Sequence, residues 1–178
     1  MKAIIVVDVL NGFTREGPLA SDKCAEVIPN IKKLLEKEEK EGSKIIFLAD
    51  NHDRDDLEFK IFPPHCVKGS RESEVVDELK PFLKNGILIP KKRYSGFYNT
   101  NLDQILKETN PEKVIVVGVC TDICVLHTVA DLRNRDYEVE VPKDCVETYD
   151  APGHSAAEID RFSLDHMRDI LGAKITQT

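Results

Sequence analysis

Residues 114–125 read VIVVGVCTDICV, a run of β-branched residues that passes through a glycine towards a cysteine. The run lacks polar–apolar alternation, so it predicts a strand buried on both faces, as in a parallel sheet. Helical spacing resumes after it, which places Cys124 in the first turn of a helix. A thiol there faces unpaired backbone N–H groups and the positive end of the helix dipole, and both favour thiolate over thiol. Cys124 is therefore the foremost nucleophile candidate in the chain.

Working outward, similar apolar runs recur at residues 3–7, 44–49, 86–90, 113–119 and 138–141, with a weaker one at 173–176. Helical periodicity separates them over residues 25–41, 73–83, 101–108, 122–135 and 154–171. Strand–helix alternation implies right-handed crossovers. The expected fold is a three-layer α/β/α sandwich around a mostly parallel, doubly wound sheet of about six strands. The expected organisation is a single domain over residues 1–178, with no repeat or linker. The long non-periodic stretch, residues 51–70, is of a length that usually serves function.

Composition narrows the choice of function. Hydrophobic residues make up 41% and charged residues 32%, a soluble globular balance. A net charge of -7 without a basic block argues against nucleic acid and anionic membrane as partners. No run approaches a membrane span or a signal peptide, so a cytoplasmic location is expected. Five scattered cysteines make no disulfide framework. Neither G-x-G-x-x-G nor a P-loop is present, which counts against a nucleotide-binding module.

Ligands of open parallel sheets bind beyond the carboxyl ends of the strands. Those ends carry Asp8, Asp50, and Lys91 or Lys92, and the fourth leads to Cys120 and Cys124. A cysteine nucleophile needs a proton acceptor and donors for an oxyanion. Asp8 suits the first role if burial raises its pKa. Backbone N–H groups of the turn over residues 119–124 suit the second. Lysine would balance charge or polarise the substrate. The loop adds Asp50 and His52 in a D-x-H pattern, then Glu58, then His65 behind two prolines. Two imidazoles and a carboxylate suit Zn²⁺, Mn²⁺ or Fe²⁺. Asp53, Asp55 and Asp56 read as a solvated acidic stretch, and Tyr94 as a residue that packs the lysine strand in preference to lining the pocket.

The ordered motifs VVDVLNGF (residues 6–13), ADNH (49–52), FPPHCVKG (62–69), PKKRYSGFYNT (90–100) and GVCTDICV (118–125) span most of the chain. Together they resemble the nicotinamidase and isochorismatase-like cysteine hydrolase superfamily, and its nicotinamidase branch in particular. The resemblance implies Asp8 as general base, Lys91 rather than Lys92 as the lysine of the triad, and Cys124 as nucleophile. It implies Asp50, His52 and His65 as ligands of one divalent metal ion, zinc foremost, with Glu58 as a further carboxylate. It also implies a cis Val119–Cys120 peptide that aims the N–H groups of Cys120 and Cys124 at the oxyanion, and Phe13 and Phe62 around a flat ring. The implied reaction is hydrolysis of nicotinamide to nicotinate and ammonia, with pyrazinamide also accepted, in a homo-oligomeric enzyme. Another small amide or ureide is the alternative substrate. One departure bears on that choice: Asn51 and Phe62 stand where nicotinamidases often carry tryptophan.

Overall fold

Side chains of a strand leave alternately to opposite faces, and β1 (Lys2–Val7) feeds two cores in this way. Ile4 and Val6 enter one apolar cluster, while Ala3, Ile5 and Val7 enter the other. The computed structural model describes residues 1–178. Its strands are β1, β2 (Lys44–Asp50), β3 (Ile87–Lys91), β4 (Lys113–Val119), β5 (Val139–Pro142), β6 (Val146–Glu147) and β7 (Lys174–Thr176). The sheet order is β3-β2-β1-β4-β5-β7, and every strand pairing is parallel. The sheet thus has seven strands rather than about six. The extra one, β6, is two residues long and pairs with Gly118 and Val119 at the end of β4, too short to leave a pattern in sequence.

Helices cover both faces. α1 (Asn11–Thr14), α2 (Asp22–Ala25) and α3 (Ile28–Lys40) flank the first cluster, into which α3 sends Ile28, Ile31, Leu34 and Leu35 at helical spacing. α4 (Leu102–Thr109), α5 (Leu126–Arg133) and α6 (Ala156–Asp169) flank the second through Leu102, Ile105, Leu106, Val129, Leu132 and Met167. Leu35 is fully buried, and truncating such a residue to alanine costs about 2–5 kcal/mol. No helix is long and apolar enough to cross a membrane.

Residues 73–83, expected as a helix, instead form two 3-10 turns, Arg71–Ser73 and Lys80–Lys84, with a β-bridge at Val75 and a turn over residues 77–79 between them. The backbone there is engaged elsewhere. Val75 bridges Leu10, and the Val76 N–H donates to Val9 at 3.2 Å. The helix expected over 122–135 opens as a π-helical turn, Thr121–Val125, before α5 begins. The sheet reverses its winding between β1 and β4, the switch point at which doubly wound folds place their sites.

Candidate active site

Asp8 follows β1, while Asp50 and Lys91 end β2 and β3 and are direct partners in the ladder. Parallel pairing therefore delivers a carboxylate and a lysine side by side at one edge of the sheet. Asp8 adopts φ 51°, a left-handed conformation that aspartate tolerates and that turns the chain out of the strand. Gly118, at φ 124°, lies so near β1 that a Cβ would fall 2.0 Å from the Val7 carbonyl oxygen, so only glycine fits. This close approach brings the end of β4, and the turn with Cys124, against Asp8. The Val119–Cys120 peptide is cis, as the resemblance implied.

Lys91 is buried, with its ammonium 2.7 Å from Asp8 Oδ2, 2.5 Å from Asp50 Oδ1 and 3.5 Å from Cys124 Sγ. Asp8 Oδ1 accepts the Asp50 N–H at 2.9 Å, and a carboxylate oxygen of Asp8 lies within 4.8 Å of the Cys124 sulfur. Burial, with the charge of Asp50, pushes the Asp8 pKa up to about 6 against the pull of Lys91. Burial works the same way on Asp50. There, however, the charge and hydrogen bond of Lys91, with the two imidazoles of His52 and His65 close by, prevail, holding it well below the carboxylate range. Burial also pushes the Cys124 thiol well up, only partly opposed by Lys91. The expectation of a favoured thiolate is therefore corrected in direction: removal from water works against the thiolate that the helix-end position favours. The lysine in contact is Lys91, whereas Lys92 is half exposed and pairs with Asp53.

A second cluster shares Asp50. One ligand atom each from Asp50, His52, Glu58 and His65, all buried, lies within 4.8 Å of the others. Asp50 Oδ2 is 3.5 Å from His52 Nε2 and 3.8 Å from His65 Nε2, and Glu58 Oε1 is 3.9 and 3.8 Å from the same nitrogens. A tetrahedron with bonds of about 2.0–2.2 Å has edges of about 3.3–3.6 Å, close to this arrangement. His65 Nδ1 donates to the Pro63 carbonyl at 2.8 Å and His52 Nδ1 meets Asp56 Oδ2 at 3.2 Å, which leaves both Nε2 lone pairs facing the cluster. His52 Nε2 and Glu58 Oε2 are buried without a hydrogen-bond partner. An orphaned imidazole nitrogen beside two carboxylates fits a divalent cation.

Asp56 corrects the reading of a solvated acidic stretch. Its side chain is only 4% exposed, supports His52, pairs with Arg93 at 2.9 Å and caps the Glu58 N–H at 2.9 Å. Its place two residues before Glu58 at the start of the 3-10 turn Leu57–Lys60 is the signal that could have identified it.

Both clusters open on one cavity of about 390 Å³. Phe13 and Phe62 line it as expected, and so does Tyr94, which the sequence suggested was packing. Tyr149, Asp150 and Ile123 complete walls that sequence patterns did not point to. Cys120 lines the pocket, and its backbone N–H has no protein acceptor. The remaining cysteines, Cys24, Cys66 and Cys145, are buried free thiols.

The Isochorismatase domain model matches residues 2–176. N-carbamoylsarcosine amidase of Thermoplasma acidophilum is 35% identical, with a TM-score of 0.88 over 99% of this chain and 95% of that one. Pyrazinamidase/nicotinamidase of Streptococcus mutans is 32% identical, with a TM-score of 0.90 over 98% and 99% of the two chains. Pyrazinamidase of Pyrococcus horikoshii, solved in complex with zinc, is 28% identical, with a TM-score of 0.87 over 99% of each. A cysteine set against a buried aspartate and lysine, in a fold shared with these amidases along its whole length, is the arrangement of an amide hydrolase, and the chain belongs to the isochorismatase family.

Proposed function

We propose that the protein is a metal-dependent nicotinamidase, converting nicotinamide and water to nicotinate and ammonia and accepting pyrazinamide. The observation that carries this is the double engagement of Asp50, one oxygen on Lys91 and the other facing His52 and His65. It joins the nucleophile's surroundings to a metal-type cluster within one aromatic-walled pocket. Asp50, His52, His65 and Glu58 would hold a divalent ion, zinc foremost, which supplies a Lewis-acidic anchor for a ring nitrogen.

The chain's own residues account for the bond changes. Ionised Asp8 takes the Cys124 proton as the sulfur attacks the carboxamide carbon. The carbonyl electron pair moves to oxygen, where the N–H groups of Cys120 and Cys124 receive it. Collapse breaks the C–N bond, Asp8 returns its proton to nitrogen, and ammonia leaves a thioester on Cys124. Water then attacks with Asp8 again as base, releasing the acid and restoring the thiol. Lys91 keeps Asp8 and Asp50 in place and offsets their charge. Recycling of nicotinamide in NAD salvage is the role that follows.

A second substrate class, carbamoyl or ureido compounds, is favoured by the 35% identity to N-carbamoylsarcosine amidase. Ammonia release from nicotinamide, pyrazinamide, N-carbamoylsarcosine and an aliphatic amide separates the two. The nicotinamidase proposal expects the ring amides to react fastest, and preference for the carbamoyl compound would overturn it.

A further inference from the structure

Amide hydrolysis turns a neutral substrate into an anion, and the charged walls of this pocket are of one sign. They include Asp50, Glu58 and Asp150 and no lysine or arginine. Nearby cations are committed: Lys91 lies buried between Asp8 and Asp50, Arg93 pairs with Asp56, and Lys23, which is close enough to interact with Asp150, pairs with Glu26 at 3.2 Å and Glu147 at 3.7 Å. A divalent ion in the metal-type cluster offsets Asp50 and Glu58 but leaves the charge of Asp150 standing.

Asp150 is exposed at the pocket wall and firmly held there. Its Oδ1 accepts the Ala156 N–H at 2.8 Å, at the start of α6. On its N-terminal side, Tyr149 stacks on His154 with ring centroids 4.1 Å apart and planes 4° from parallel. On its other side, Ala151 and His154 exchange two backbone hydrogen bonds of 2.9 Å. His154 Nε2 meets Asp122 Oδ2 at 3.1 Å, and Asp122 Oδ1 accepts the Thr148 hydroxyl at 2.7 Å. Asp122 belongs to the turn that carries Cys124. The loop over residues 148–155 is thus fastened to the nucleophile's own turn, and its imidazole is occupied with Asp122.

We propose that Asp150 makes the pocket anion-excluding: it admits neutral amides, turns away carboxylate-bearing ones and hastens release of the carboxylate product. The inference rests on Cys124 being the amidase nucleophile but not on nicotinamide being the substrate. A fixed like charge slows approach and lowers occupancy of an anion, and salt screens the effect.

The test compares alkylation of Cys124 by neutral iodoacetamide and anionic iodoacetate, in which the sulfur displaces iodide. The adduct is located by fragmenting the peptide that contains Cys120 and Cys124. Asp150→Asn removes the charge and keeps the cap, since asparagine caps helices as well as aspartate. At low salt it should raise the iodoacetate-to-iodoacetamide rate ratio roughly three- to tenfold, and salt near 1 M should flatten the difference. Nicotinate should inhibit Asp150→Asn more strongly than the parent. Glu36→Gln removes the same charge from an exposed site on α3 and should leave the ratio alone. An Asp150→Asn ratio no higher than that of Glu36→Gln overturns the proposal. A protein that spares nicotinamide yet shows the shift loses the nicotinamidase assignment and keeps this one.

Discussion

The two halves of the site rest on different kinds of backbone. Asp50 and Lys91 are ladder partners at the ends of adjacent strands, and Asp8 leaves the neighbouring strand. Their spacing is set by the sheet, whose core strands are almost wholly buried. His52, Glu58 and His65 come instead from the loop over residues 51–70. That loop is tied down by local polar contacts: the His52–Val67 bridge, the Asp56 cap and the Pro63–His65 hydrogen bond. The sheet half is preformed by the fold itself. The loop half gathers two carboxylates and two imidazoles around orphaned atoms and has a cation to gain. Asp50 is the hinge between them.

Four predictions bear on that contrast. Cys124→Ala should abolish ammonia release, by about 10³-fold or more, with the thermal midpoint little changed. Retained turnover in this variant would break the assignment of the sheet half. Asp8→Asn should slow turnover by about 10²–10⁴-fold. In the parent, the Asp8 pKa of about 6 means that the base is protonated below that pH. The value lies above the ordinary carboxylate range, so kcat/KM should climb as pH rises through about 6 and then level, a limb that Asp8→Asn should lack.

The loop half should respond differently. His65→Ala should bind less metal by elemental analysis while its circular dichroism stays that of the parent, because the sheet does not depend on the loop. Undiminished metal would remove this cluster from the account. Asp56→Ala, which takes away the support of His52, should weaken metal affinity by about 10–100-fold. An unchanged affinity would reduce Asp56 to a cap of its 3-10 turn.

The same contrast governs what the sequence made legible. Asp8, Asp50, Lys91 and Cys124 could be located because buried parallel strands are uninterrupted Val/Ile runs, and function collects at their carboxyl ends. The choice of Lys91 over Lys92 needed the motif around Tyr94. In the structure it follows from the pleat, which sends Lys91 inward and leaves Lys92 exposed. The upward push of burial on the Cys124 thiol is not legible in sequence, because a helix-end argument contains no measure of burial. Asp56 reads as solvated in sequence, and Tyr149 and Asp150 carry no signal there, because their roles arise when separate loops fold together. Strand β6 and the 3-10 turns near residues 71–84 were missed for a related reason, since pairing with distant chain replaced local periodicity there.

The central claim is that both halves serve one ring amide. Chelation tests it most directly, with nicotinamide turnover and iodoacetamide alkylation of Cys124 followed on the same sample. Removing metal should lower nicotinamide hydrolysis at least ~10-fold, with recovery on adding Zn²⁺, while the thiol continues to react. Hydrolysis that persists undiminished in demonstrably metal-free protein would contradict it.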